Sequence, residues 1–458
     1  MQEKITRRDF LKFGASGVAA MILARCAAPP AATEAPAAVA TEPVKQAVTL
    51  DFLAWGENAD IPAWEKLSAL YMERNPNVTV NVTSIADPGN NFYPKLQTAI
   101  AGGQPPHISS FQGWEWQTYA DKDLLAPVDD LVTRDNFAAS YADEFQSVQD
   151  STKRNGKRYL IPLQLGTMVM FYAKKPFDEA GIPYPTDDWT FEEFMEIARK
   201  LTDTSGDFKK YGLQANGNWF RDIGWIRGSG KQEFDSIIDP KKAMFNQPEI
   251  VDVVQKVASD WYYGDQIAPT PADLSGGANA FDTGNCAMKY EGPWWFPRMN
   301  SPELRAENKQ MEFDVVLMPK MADEGRPHRG WAEGVALLKG DKVDDAWGFA
   351  SFMGGEEGDK IYSETTGRVP SNPALIESFW LPTIEERFQV KNGKAFIEAF
   401  KRSEIDVIGG VPRSLLWSEI VKPVAWDPLI NGSASAADVL PAADAALQAK
   451  LDEYWASQ

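Results

Sequence analysis

From residue 48 onward, the spacing of apolar and polar positions switches between two periods, and each switch marks an element. Residues 48–54 (VTLDFLA) alternate as a half-buried strand does, and Trp55-Gly56-Glu57 breaks the pattern. Residues 61–75 place Trp64, Leu67, Leu70 and Tyr71 at helical spacing, and Asn75-Pro76 ends that helix. Residues 78–85 alternate again as a second strand, 92–102 read as a helix closed by Gly102-Gly103, and 107–111 as a third short strand. Such a β-α-β-α-β run predicts a parallel sheet with helices on its faces. Ligands of these sheets bind outside the carboxyl ends of the strands. Trp55, Glu57, Gly113, Trp114 and Glu115 fall in the loops there.

A second β-rich start follows, as residues 158–162 lead into a strand over 168–172. Thr190-Phe191-Glu192-Glu193 fits a capping box before a helix through Leu201. Helical spacing recurs over 251–263, 344–353, 394–400 and 436–455. Strands are expected at 287–291, ending in Gly292-Pro293-Trp294-Trp295, and at 313–318, closed by Pro319. The span from 47 to 458 exceeds one typical core, so two lobes are expected.

The first 46 residues have a different character. Thr6-Arg7-Arg8-Asp9-Phe10-Leu11-Lys12 fits the twin-arginine export pattern S/T-R-R-x-F-L-K at every position. The apolar run over 13–24 is too short to span roughly 30 Å of hydrocarbon and reads as the signal's apolar core. Leu23-Ala24-Arg25-Cys26 looks like a lipoprotein cleavage box with Cys26 as the lipid anchor, although Arg25 departs from the small residue usual before that cysteine. Residues 27–46 are mostly Ala, Pro, Thr and Glu, with little to bury, and read as a disordered tether. The expected organisation is an export signal over 1–25 and an anchored tether over 26–46. Export by the twin-arginine route to the outer face of the cytoplasmic membrane or the periplasm follows.

Charge and composition narrow the chemistry. The chain is at −19, and the net +3 of residues 1–25 leaves −22 beyond them. An acidic body of this kind repels nucleic acid and anionic membranes. Only His107 and His328 are present, so a histidine metal site or histidine acid–base work is not expected, and no cofactor motif appears. Cys286 is the one cysteine beyond Cys26, which excludes a disulfide within the folded part and suits a buried small hydrophobe. Sixteen tryptophans are present. Eight of them, at 55, 114, 116, 219, 294, 295, 331 and 417, lie in polar or Gly/Pro-punctuated segments where an indole face can serve a ligand, above all a sugar with its C–H faces.

A series of motifs then runs in order along the chain. Tyr93-Pro94-Lys95-Leu96-Gln97 through Gly102-Gly103, with Pro105-Pro106-His107-Ile108, resembles Y-x-K-L-Q-x-x-x-A-x-G…P-D-I, His107 standing where Asp is usual. Gly156-Lys157-Arg158-Tyr159-Leu160-Ile161-Pro162 resembles a crossover G-K-x-Y-x-x-P. Phe171-Tyr172-Ala173-Lys174-Lys175-Pro176-Phe177 with Glu179-Ala180-Gly181 resembles Y-N-K-x-x-F-x-E-A-G, with Ala173 for Asn. Gly284-x-x-Ala287-Met288-x-x-x-Gly292-Pro293-Trp294 is the sharpest match, followed by Leu317-Met318-Pro319, Gly367-Arg368-Val369-Pro370 and Leu416-Trp417. Together they resemble the extracellular solute-binding proteins of ABC importers, in the sugar-binding family typified by the maltose-binding type.

That resemblance implies an α/β fold of two lobes, each a mostly parallel sheet flanked by helices, joined by three hinge crossovers near 160–165, 317–320 and 370–373. It places 47–162 with 319–372 in one lobe and 163–318 with 373–458 in the other. It implies a monomeric, non-catalytic binder that closes over a mono- or oligosaccharide and delivers it to the permease subunits of an importer. The implied ligand residues are Trp55, Glu57, Gly113, Trp114, Glu115, Gln164, Thr167, Asn218, Trp219, Trp294, Trp295, Gly330, Trp331, Arg368, Arg413 and Trp417, with Gly330 and Trp331 in a loop facing the cleft. Two other readings stand beside it. A glycosidase would need paired carboxylates, which Glu57 and Glu115 could supply. A peptide or organic-anion binder would use cations such as Arg221, Arg227, Arg368 and Arg413.

Overall fold

A computed structural model describes residues 46–56, 59–85, 91–137, 145–275, 280–322 and 328–457. The export signal with Arg7 and Arg8, the cysteine at 26, the tether and Glu57 lie outside the described residues.

Two sheets organise the chain. The first is ordered β2-β1-β3-β11-β6, from β1 (Val48–Trp55), β2 (Val78–Ile85), β3 (Ile108–Gln112), β6 (Leu160–Thr167) and β11 (Gly330–Leu337). The second is ordered β10-β7-β9-β8, from β7 (Val169–Ala173), β8 (Tyr211–Gln214), β9 (Cys286–Glu291) and β10 (Phe313–Val316). A two-residue hairpin, β4 (Lys153–Arg154) and β5 (Lys157–Arg158), precedes β6. The sequence pattern of the first unit is realised. The β1 strand pairs in parallel with both β2 and β3, and helices Asp60–Arg74 and Tyr93–Ala101 make the crossovers. His107 replaces the usual Asp with a structural contact, its Nδ1 accepting the Asp51 backbone N–H at 2.9 Å.

The sheets are not mostly parallel, as expected, but mixed. The β11 strand runs antiparallel to β3 and β6, and β7 runs antiparallel to β9 and β10, leaving β8–β9 as the parallel pair. The cause is the chain's path between sheets. A strand that arrives from the other sheet enters from the hinge end and so runs against its neighbours. The first passage also lies later than expected. Leu160–Thr167 stays in the first sheet over its whole length, and the chain passes to the second through Met168. It returns between β10 and β11, and passes again after helix Glu356–Thr366 to segments packed on the second sheet.

Separate apolar clusters cover the sheets. Phe52, Trp64, Leu67, Val335 and Trp347 pack on one face of the first, and Leu53, Phe92, Leu96 and Phe111 on the other. Phe194, Trp225, Trp261 and Trp426 anchor one cluster on the second, and Phe171, Phe296, Trp380 and Phe396 another. Cys286 is fully buried, and burial pushes its thiol well up. Among the described residues no helix is long and apolar enough to cross a membrane.

Candidate functional site

The ends of strands from both sheets converge on a cavity of ≈ 470 Å³. From the first sheet come Trp55 at the end of β1, Gln112 at the end of β3 with Trp114 and Glu115 just beyond, and Trp331 and Glu333 on β11. From the second come Asn218, Phe220 and Arg221 at the start of helix Trp219–Gly228, and Trp294 in the Pro293–Trp295 turn after β9. Trp417 and Ser418 lie on the wide-turned helix Leu416–Trp426, where Pro423 removes a backbone donor.

Tryptophans form its centre. The Trp331 ring lies 5.1 Å from that of Trp114 and 5.9 Å from that of Trp294, so three indoles from both sheets run in one chain. Trp417 stands 5.5 Å from Phe220 on the second-lobe side. Two glycines make room for these rings. A Cβ on Gly166 would sit 2.3 Å from the Trp331 ring, and one on Gly292 would sit 2.1 Å from that of Trp294. Each indole therefore lies flat against bare backbone. Trp55, Trp114 and Trp331 are buried, whereas Trp294 and Trp417 keep part of a face open.

Four guanidiniums sit among the rings. Arg413 is sandwiched between Trp114, 4.0 Å from its centroid, and Phe220, at 3.6 Å. It pairs with Asp406, to which Arg329 also donates at 2.7 Å. Arg368 donates to Asp60 at 2.9 Å and stands within 6 Å of both Trp55 and Trp294. Arg221 pairs with Glu291 and faces the Trp294 ring.

The carboxylates here are costly to ionise. Burial pushes Glu115 up to about 6, offset in part by Arg413 and by Ser414, whose hydroxyl donates at 3.1 Å. Burial pushes Glu333 up to about 7 against the pull of Arg368 and of the Trp331 N–H, which donates at 2.8 Å. Burial likewise drives Arg413 down, with Arg329 adding repulsion. A guanidinium stays protonated in a protein, so this push measures desolvation that Asp406 has to offset.

Of the residues the sequence put forward, Trp55, Trp114, Glu115, Asn218, Trp294, Trp331, Arg368, Arg413 and Trp417 line this cavity. Others do not. Gly113 packs against Ala332 and Ser151, and Gly330 against Ser403. Gln164 is buried behind the wall, donating to Glu333 at 2.5 Å, and Thr167 donates to the Arg329 carbonyl at 2.7 Å beside the crossover. Trp219 is fully buried against Phe220, Phe234 and Phe245. Trp295 packs on Phe281 between Lys289 and Arg298, and Trp116 is fully buried with its N–H on the Ser151 carbonyl. Gly330 and Trp331 lie not in a loop but at the start of β11. Arg227 lies away from the cavity, paired with buried Glu233.

The sequence reading left out Tyr93, Gln112, Phe220, Arg329, Glu333, Ser414 and Ser418, which also line the cavity. Glu333 had a usable signal. On a strand it shares a face with Trp331, two positions earlier. Among the described residues no group of three or more acidic, histidine or cysteine side chains could hold a metal ion.

Comparison with known proteins agrees with this architecture. The Listeria monocytogenes ABC substrate-binding protein solved in complex with cycloalternan superposes with a TM-score of 0.77 at 23% identity, covering 89% of this chain and 100% of that one. The maltose/maltodextrin-binding domain of Bdellovibrio bacteriovorus bound to maltotriose gives 0.69 at 18%, covering 89% and 99%. A putative binding protein of Brucella abortus (strain 2308) is 21% identical over 323 residues, 68% of this chain and 73% of its own length. The maltotriose-binding protein of Pyrococcus abyssi is 23% identical over 303 residues, 64% of this chain and 60% of its own. The two sheets joined at a central cleft are thus a two-lobed periplasmic-binding-protein-like fold. With residues 66–388 matching the family model, the chain belongs to the bacterial extracellular solute-binding proteins.

Proposed function

We propose that this protein binds a carbohydrate outside the cell and delivers it to the permease subunits of an ABC importer. The observation that carries the reading is the cleft itself, where the part-open indoles of Trp294 and Trp417 are ringed by guanidinium, carboxylate, amide and hydroxyl groups. A sugar presents apolar C–H faces edged by hydroxyls, and needs flat apolar partners with polar groups at their margins. Similar proteins were solved with cycloalternan, α-D-tagatose and maltotriose, which supports the same ligand class here.

We take the two lobes as hinged where the chain passes between sheets, so that closure brings the Trp294 and Trp417 side onto the Trp55, Trp114 and Trp331 side. The motif at residues 6–12 and Cys26 support export by the twin-arginine route and a lipid anchor. We read the protein as a monomer that holds its ligand without cleaving it, so bound oligosaccharide should be recovered intact.

Titration calorimetry of the purified protein against mono-, di- and trisaccharides tests the reading. Saturable heat with at least one saccharide is expected. No heat with any of them, from protein that melts cooperatively, would refute it.

A further inference from the structure

Each guanidinium at the cleft is already paired with a buried carboxylate, in one case shared by two of them, and this decides which carbohydrates fit. Arg413 and Arg329 share Asp406, which is 1% exposed. Arg368 donates to fully buried Asp60 and stands 4.0 Å from Glu333. Arg221 is the most open of the four, its side chain 34% exposed, and it is held by Glu291 at 2%. Glu115 and Glu333 are the carboxylates that line the cavity itself. Behind these, buried Lys289 and Asp222 add one group of each sign. The sandwich of Arg413 between Trp114 and Phe220 leaves its planar faces to rings, not to an incoming anion.

An anionic ligand would therefore meet cations that are already paired with buried carboxylates. It would also approach Glu115 and Glu333, already costly to ionise in this cleft, and would raise that cost further. A neutral ligand meets the opposite situation. Guanidinium N–H groups and carboxylate oxygens make charge-assisted hydrogen bonds to hydroxyls with no new charge to bury.

Resting on the carbohydrate reading above, we propose that the cleft selects neutral saccharides and polyols and rejects uronic acids and sugar phosphates. Glu291 sets this selectivity by occupying the charge of Arg221. The Glu291→Gln substitution keeps an amide oxygen that can still accept the Gly292 N–H, which Glu291 takes at 3.1 Å, but removes the carboxylate charge that faces Arg221 and, at 3.8 Å, buried Lys289, so this side of the cleft gains net positive charge.

The test titrates wild type, Glu291→Gln and Arg221→Gln with matched probes: glucose, glucuronic acid and glucose 6-phosphate; galactose and galacturonic acid; maltotriose and trigalacturonic acid. In every set where wild type binds any member, the neutral one should bind and the acidic members should not. Glu291→Gln should narrow the gap by about tenfold or more, the size of one charge-assisted contact. Arg221→Gln should weaken the neutral sugar and gain nothing for the acid, which tests the pair even if Glu291→Gln fails to fold. An acidic sugar bound by wild type as tightly as its neutral counterpart would overturn the selectivity while leaving the carbohydrate reading intact. An unchanged gap in folded Glu291→Gln, or a gain for the acid in Arg221→Gln, would overturn the part given to Glu291. Absence of binding to every probe, neutral and acidic, would instead bring down the carbohydrate reading and the selectivity with it.

Discussion

Trp294→Ala separates a ligand-facing indole from a core one. The ring lies flat on Gly292, borders both apolar clusters of the second sheet, and keeps an open face toward the cleft 5.9 Å from Trp331. Covering such a face with a sugar contributes about 1.5–3 kcal/mol. Its loss should weaken binding about 10- to 100-fold. The stability cost should be smaller than for Trp219→Ala, because Trp219 is fully buried and truncation there leaves a large cavity costing about 3–5 kcal/mol. Calorimetric titration gives the affinity, and thermal unfolding of the same samples gives the stability. The expected pattern is crossed: Trp294→Ala loses affinity with a modest fall in melting temperature, and Trp219→Ala loses stability with near-native affinity in the folded fraction. A large fall in melting temperature for Trp294→Ala with unchanged affinity would refute the reasoning and move that ring into the core.

Glu333 and Glu115 hold their protons more tightly in the folded than in the unfolded chain, so their contribution to stability falls as pH rises from about 4.5 through about 6 for Glu115 and about 7 for Glu333. Wild type should therefore lose melting temperature relative to Glu333→Gln across that window, and a gain with rising pH in the same comparison would contradict the burial argument. Gly166→Ala should displace the Trp331 ring, with the N–H that Glu333 accepts, and weaken saccharide binding, as read by titration of the folded variant. Replacing Arg7 and Arg8 together by Lys should leave precursor inside the cell, and Cys26→Ser should release the protein from membranes. Fractionation and immunoblotting check both, and normal export or an already soluble wild type would count against them.

What could be read from the sequence follows from where each strand is buried. The β1 and β2 strands alternate because part of one face meets solvent, and the Thr190 capping box forms as its spacing predicts. The β6 and β11 strands are buried at all eight positions and carry no alternation, and β11 pairs with residues more than 150 positions earlier, so nothing local announced them. Reading Gly330 and Trp331 as a loop is what hid Glu333. Trp219 was misread for a different reason. Its neighbours are polar, but the Asn218 side chain caps the helix by accepting the Phe220 N–H at 2.9 Å. That cap starts the helix at Trp219, whose ring turns inward with Ile223 and Ile226, while Phe220 and Arg221 line the cleft. Trp294 and Trp295 divide in the same way, one to the cleft and one to the core, and adjacent residues on a turn carry no periodicity that would tell them apart.

A crystal structure of the protein with the saccharide that binds most tightly tests the central claim most directly. The sugar should lie between the two sheets, with ring faces against Trp294 and Trp417 and hydroxyls within hydrogen-bonding distance of Arg221, Glu115 or Glu333. A saccharide bound elsewhere on the surface, with the cleft unaltered, would contradict the account.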